Sequence, residues 1–135
     1  EGTDIRNALE TVFRMLHRKA VVFLISDMED QGFEHALRVA GKKHDLIGLR
    51  VMDPREEQLP PAGWLAVEDA ENGETTLFNS RKRKKRDEYS RLAEVSRTQQ
   101  ERLCGNAGVD LIDLYTGEDY VRPLMGLFRQ RQGRP

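Results

Sequence analysis

The chain has 135 residues, of which 38% are hydrophobic and 33% are charged, and its formal net charge is -1. This length predicts a single domain with a hydrophobic core, and the balanced charge argues against a dedicated nucleic-acid-binding protein, which usually carries a basic excess. Cys104 is the only cysteine, which excludes an intramolecular disulfide and favours a reducing, cytoplasmic location. No apolar run reaches the roughly 20 residues of a membrane-spanning helix.

The first predicted elements are an amphipathic helix and a strand. Thr3 or Asp4 caps the helix, whose apolar residues recur every three or four positions up to Leu16. The strand over residues 20–26 is apolar and rich in β-branched side chains, and it ends in Ser26 and Asp27. Such a run predicts a strand that is buried on both faces, as in a parallel sheet covered by helices.

A second helix and a second strand complete a βαβ unit. The helix is predicted over residues 33–43, and the strand over residues 46–52 ends at Asp53 and Pro54, where the proline stops the pairing. A strand, a helix and a strand within so short a stretch predict two parallel strands joined by a right-handed crossover.

The middle of the chain predicts a loop, a β-hairpin and a basic helix. Residues 55–63 form the loop, and Asn72 and Gly73 suit a type I′ turn between strands at residues 64–68 and 74–79, at one edge of the sheet. Six cations then open a long helix that reaches about residue 105. They are Arg81, Lys82, Arg83, Lys84, Lys85 and Arg86.

The last predicted elements are a strand over residues 109–114 and a helix over residues 118–131. The residues expected on the buried face of this helix are Val121, Leu124, Met125 and Phe128. The whole pattern predicts the α/β class: a partial doubly wound parallel sheet with flanking helices and one β-hairpin.

Side chains with oxygen atoms lie next to the ends of these predicted elements. Thr3 precedes the first helix, Ser26 and Asp27 end the first strand, and Asp53 follows the second strand. Ligands bind at the carboxyl ends of parallel strands, and oxygen donors suit Mg²⁺ or Mn²⁺. The alternative is that the aspartates cap the turns that follow them, which is a common role at strand ends.

Several stretches resemble a known family. They are Gly2-Thr3-Asp4-Ile5, Val21 to Asp27 (Val-Val-Phe-Leu-Ile-Ser-Asp), His44-Asp45-Leu46-Ile47, Val51 to Glu56 (Val-Met-Asp-Pro-Arg-Glu) and Glu118-Asp119-Tyr120-Val121. Together they resemble the second half of a von Willebrand factor A-like domain, and more narrowly the bacterial domain-of-unknown-function family fifty-eight. The resemblance implies a von Willebrand factor A-like or Rossmann-like sheet and a C-terminal portion of that domain over residues 1–135.

The resemblance also implies a metal-ion-dependent adhesion site. In such a site an Asp-x-Ser-x-Ser loop, a threonine and a later aspartate surround Mg²⁺ or Mn²⁺, whose open position takes a carboxylate of a partner protein. Thr3 matches the threonine and Asp27 the later aspartate, whereas no Asp-x-Ser-x-Ser pattern occurs in these residues. We therefore expect a partial site in a non-enzymatic interaction domain. The implied partner is a MoxR-type AAA ATPase or its client, and the resembled proteins often carry membrane helices upstream.

Two other functions remain open from the residues alone. Asp27 and Asp53 could be the metal ligands of a phosphate-ester hydrolase, although no nucleophile or general base stands out. The basic residues 81–86 could bind an anionic surface, but a solvated start of a helix is the simpler interpretation. His17, His35 and His44 lack metal-ligand spacing, which favours surface positions for all three. An uncovered edge of the first strand would also favour a homodimer.

Overall fold

The structure, a computed structural model, describes residues 3–54, 64–68, 73–79 and 83–133. The predicted loop 55–63, Asn72 of the predicted turn, and Arg81 and Lys82 of the basic run lie outside the described residues. The helices are α1 (Ile5–Met15), α2 (Glu34–Lys43), α3 (Arg83–Asn106) and α4 (Val121–Gln132). The strands are β1 (Val21–Ser26), β2 (Asp45–Met52), β3 (Trp64–Glu68), β4 (Thr75–Asn79) and β5 (Asp110–Tyr115).

The fold is α/β, as predicted, and its main sheet is parallel. The sheet has three strands in the order β1-β2-β5, with Ser26 beside Arg50 and Arg50 beside Asp113 in register. Successive residues of a strand point to opposite faces, so Leu46 and Ile47 of β2 belong to different cores. The sheet is therefore covered by helices on both faces, consistent with a partial Rossmann-like fold.

The larger core joins α1, α2 and the end of α3 to one face of the sheet. Its buried residues include Ile5 of α1, Leu37 of α2, Leu46 of β2 and Cys104 of α3. The smaller core lies on the other face, where Leu127 of α4 packs with Ile47 and Leu49, among others.

The chain separates into two compact units. One comprises Glu1–Met52 and Arg102–Pro135 and contains the three-stranded sheet, and the other comprises Asp53–Glu101. In the second unit β3 and β4 pair antiparallel, which confirms the predicted hairpin strands. They form a two-stranded sheet of their own, and the predicted place of this hairpin at one edge of the parallel sheet stays a prediction.

The prediction that β1 is buried on both faces is wrong. Val21, Phe23 and Ile25 are 57%, 45% and 66% exposed, whereas the alternate residues Val22 and Leu24 pack against the larger core. The physical reason is the position of β1 at the edge of the described sheet, since α4 packs against residues of β2 and β5. The strand buried on both faces is β2, which lies in the middle.

Two smaller predictions are also corrected. In α4 the buried residue is Leu127, and Val121, Met125 and Phe128 of the predicted buried face are exposed, whereas Leu124 is partly buried and packs against the smaller core as predicted. His44 is buried, unlike the exposed His17 and His35, and its Nδ1 accepts a hydrogen bond from the N–H of Ala20 (3.0 Å). This contact fastens the segment before β1 to the end of α2.

Candidate functional site

The candidate site begins with a tight turn at the carboxyl end of β1. The Asp27 Oδ1 atom accepts a hydrogen bond from the N–H of Glu29 (2.9 Å), and Ser26 Oγ accepts one from the N–H of Met28 (3.0 Å). Both contacts are local side-chain turns of the kind that aspartate and serine favour. Asp27 therefore does cap its own turn, while its side chain remains exposed.

Met28 anchors this turn to the core. Its backbone φ is 63°, a left-handed conformation that is uncommon for a residue with a side chain, and its side chain is 2% exposed. Gly48 of β2 leaves the space that this side chain fills, because a Cβ atom at Gly48 would lie 3.1 Å from Met28 Cε. The buried methionine holds the loop against the sheet.

The start of α1 is fastened to the same loop. Asp30 Oδ2 accepts a hydrogen bond from the N–H of Ile5 (2.8 Å), and Asp30 Oδ1 accepts one from the N–H of Gln31 (2.8 Å). Thr3 lies just before α1, and Asp27 lies three positions before Asp30. The structure thus brings the segments of the two predicted metal ligands to the same end of the sheet.

The chemistry of these donors fits a hard cation only in part. Thr3 and Asp27 are exposed and supply a hydroxyl and a carboxylate oxygen, which suit Mg²⁺ or Mn²⁺, but either ion prefers about six oxygen ligands. Across the described ranges, no group of three or more His, Cys, Asp or Glu side chains could hold a metal ion. Any cation at Thr3 and Asp27 would need further donors or water.

The other predicted site residues have different surroundings. Ser26 is half-buried. In the register of the sheet it lies beside Arg50, which in turn lies beside Asp113. Asp53 is half-buried and directly follows β2, as the first residue of the second unit. Their participation in a ligand site stays a prediction.

Two of the four described cations of the basic run lie near acidic side chains on α3. Arg83 Nε lies 4.0 Å from Asp87 Oδ2 and Lys85 Nζ lies 3.9 Å from Glu88 Oε2, in each case one turn along α3. These exposed pairs are those of a solvated helix surface. Anion binding by this run stays a prediction.

A partly buried ion pair in the middle of the sheet was not predicted from the sequence. Arg50 of β2 is 2% exposed, and its guanidinium donates to both carboxylate oxygens of Asp113 on β5 (Nε–Oδ1 2.6 Å, Nη2–Oδ2 3.0 Å). The signal was present, since Arg50 is the one charged residue of the predicted strand 46–52 and Asp113 lies between apolar residues of the strand 109–114. Burial raises the pKa of the nearby Cys104 thiol, an effect that the charge of Arg50 partly opposes, so this thiol is a poor nucleophile.

The sequence matches a known protein family. A family model described as "Protein of unknown function DUF58" matches residues 1–99. The chain belongs to this family. The family match covers α1, β1, the Asp27–Asp30 loop, α2 and β2, and therefore both predicted metal ligands, Thr3 and Asp27.

Relatives of this DUF58 chain occur in mycobacteria. It is 25% identical over 130 residues to the uncharacterized protein MAV169 of Mycobacterium avium, with 96% of the chain and 76% of the relative covered. It is 27% identical over 130 residues to the uncharacterized protein Rv1480 of Mycobacterium tuberculosis, of which it spans 41%. No solved structure matches the chain. Within the described residues, no helix has the length and hydropathy needed to cross a membrane.

Proposed function

We propose that this DUF58 chain is a non-enzymatic protein-interaction domain that carries part of a metal-ion-dependent adhesion site of the von Willebrand factor A type. Thr3 and Asp27 are the two ligands that the chain contributes, and other donors complete the shell around Mg²⁺ or Mn²⁺. The bound cation supplies a Lewis-acidic position that takes a carboxylate. The residues of the chain hold their oxygens in place and leave that position open to a protein partner.

The observation that carries this proposal is the hydrogen bond between Asp30 and Ile5. It joins the start of α1, next to Thr3, to the loop that contains Asp27, and both candidate ligands are exposed there. Thr3 and Asp27 are far apart in the sequence. If each residue only capped its own helix or turn, the two segments would not need to meet.

The partner in this proposal is an acidic segment of a MoxR-type AAA ATPase or of its client. This part of the proposal rests on the family resemblance, and it requires that binding to the partner depends on the divalent cation. Asp27→Ala should then abolish both cation binding and partner binding.

Calorimetric titration with Mg²⁺ and Mn²⁺ tests the metal site. Two proteins are titrated: the chain alone, and a longer polypeptide in which further residues precede the chain. Each is titrated as the wild type and as the Asp27→Ala variant. We expect the extended protein to bind and the Asp27→Ala variant to lose binding. Glu29→Ala is the matched control, because it changes the charge of the same loop equally. Equal losses in the two variants, or no binding by the extended wild-type protein, would refute the proposal.

A further inference from the structure

We infer that Asp30 is a positioning residue, which fastens the start of α1 to the β1–α2 loop and so fixes Thr3 relative to Asp27. This inference rests on the proposed metal site, and it concerns a residue that the sequence analysis did not single out. Two backbone contacts of its carboxylate, one on each side of the junction, define the role.

On the α1 side, Asp30 supplies a hydrogen-bond acceptor that the helix itself lacks. The first N–H groups of a helix have no acceptor within the helix, and the N–H of Ile5 is one of them. Asp30, 25 residues away, accepts this bond at 2.8 Å. A carboxylate at this end is also favoured by the helix dipole, and the 2% exposure of Ile5 limits water as a substitute.

On the loop side, the second oxygen of Asp30 accepts from the N–H of Gln31 at 2.8 Å. Both oxygens of Asp30 therefore bind backbone N–H groups. Asp27 differs, because only its Oδ1 accepts a bond, from Glu29, and within the described residues its Oδ2 has no hydrogen-bond donor. The pattern assigns the positioning role to Asp30 and leaves Asp27 with an oxygen for a ligand.

Asp4 provides a matched control for this role. Its Oδ1 accepts from the N–H of Asn7 at 2.9 Å, so it also caps α1, but from within the same segment. Asp4→Ala removes one α1 cap and leaves the hydrogen bond to the loop intact, whereas Asp30→Ala removes a cap and that hydrogen bond together. Asp30→Asn retains an amide oxygen that can accept from Ile5.

The first measurement uses the metal-free chain and nuclear magnetic resonance. We expect Asp30→Ala to accelerate hydrogen exchange at the Ile5 amide about tenfold or more, because its acceptor is gone, and to shift the resonances of Thr3 and Asp27. Asp4→Ala should instead accelerate exchange at Asn7 and leave Asp27 unshifted. Unchanged exchange at Ile5, or unshifted Thr3 and Asp27 resonances, in Asp30→Ala would overturn the inference.

The second measurement is Mn²⁺ titration of the extended polypeptide. We expect Asp30→Ala to weaken binding about tenfold, because Thr3 is then held less firmly relative to Asp27, with Asp4→Ala within about twofold and Asp30→Asn within about threefold of wild type. Wild-type affinity in Asp30→Ala would overturn the positioning role. Loss of binding in Asp30→Asn with slow exchange at Ile5 would make Asp30 a ligand instead. If the wild-type protein binds no metal, the proposed function fails, and the metal-free measurement still decides the role of Asp30.

Discussion

Gly41 is a residue whose small size is required by its surroundings. It lies inside α2, where a glycine is normally unfavourable by about 1 kcal/mol relative to alanine. A Cβ atom at this position would lie 2.7 Å from the carbonyl oxygen of Ala107 and 3.1 Å from Val109 Cγ2. The backbone of the segment between α3 and β5 therefore passes α2 too closely for a side chain.

We expect Gly41→Ala to lower the free energy of unfolding by about 1–3 kcal/mol, because the overlap with a backbone atom outweighs the gain in helix propensity. Gly126→Ala is the control, since Gly126 lies within α4 and a Cβ atom there would meet nothing within 4 Å. That substitution should raise stability by up to about 1 kcal/mol. Urea denaturation of both variants measures the two effects, and the same sign for both would contradict the explanation.

At the scale of elements, α4 is held to the sheet by the ion pairs of Arg131 near its C-terminal end and by apolar packing of Leu127. Arg131 donates to Asp45 at the start of β2 (2.6 and 2.9 Å) and to Asp110 at the start of β5 (3.1 and 2.7 Å). The hydrogen bonds from Asp45 and then Asp110 raise the pKa of the Arg131 guanidinium, so it stays charged at all working pH values. Leu127 supplies the apolar contact.

We expect Arg131→Ala to lower the free energy of unfolding by about 1–3 kcal/mol, because two partly buried carboxylates lose their shared donor. Arg129→Ala, on the exposed side of the same helix, should change it by less than about 0.5 kcal/mol. Chemical denaturation at low and at high salt measures the free energy of unfolding of the two variants and of the wild type. Equal effects of the two substitutions would show that the contacts of Arg131 do not hold α4.

At the scale of the whole molecule, the dominant feature is the uncovered side of β1. Among the described strands β1 pairs with β2 alone, so its other edge presents backbone N–H and carbonyl groups without a strand partner. Val21, Phe23 and Ile25 add an exposed apolar surface next to this edge. Such edges favour pairing with a further strand.

We expect the chain by itself to self-associate through the edge of β1 as its concentration rises. Ile25→Lys should reduce this association, because a charge on an exposed strand face disfavours pairing, without unfolding the protein. Met125→Lys, on the exposed face of α4, is the matched control and should leave association unchanged. Light scattering over a concentration series measures the effect, and a monomer at the highest soluble concentration would contradict the expectation.

Local patterns in the sequence were sufficient for the elements and the fold class. Apolar residues spaced three or four apart predicted α1 and α2, the βαβ order predicted the parallel strands, and the Asn-Gly pair predicted the β3–β4 hairpin. Each of these signals arises from residues close together in the chain. The candidate ligands Thr3 and Asp27 were likewise found from short motifs, and their binding of a metal stays a prediction.

The tertiary structure alone decided the features that depend on distant residues. The exposed face of β1 follows from its place in the strand order, and the buried face of α4 follows from where Leu127 and Arg131 meet the sheet. Periodicity shows that a helix has an apolar side but not which neighbour covers it. The Asp30–Ile5 and Arg50–Asp113 contacts join residues 25 and 63 positions apart, and only folding brings such partners together.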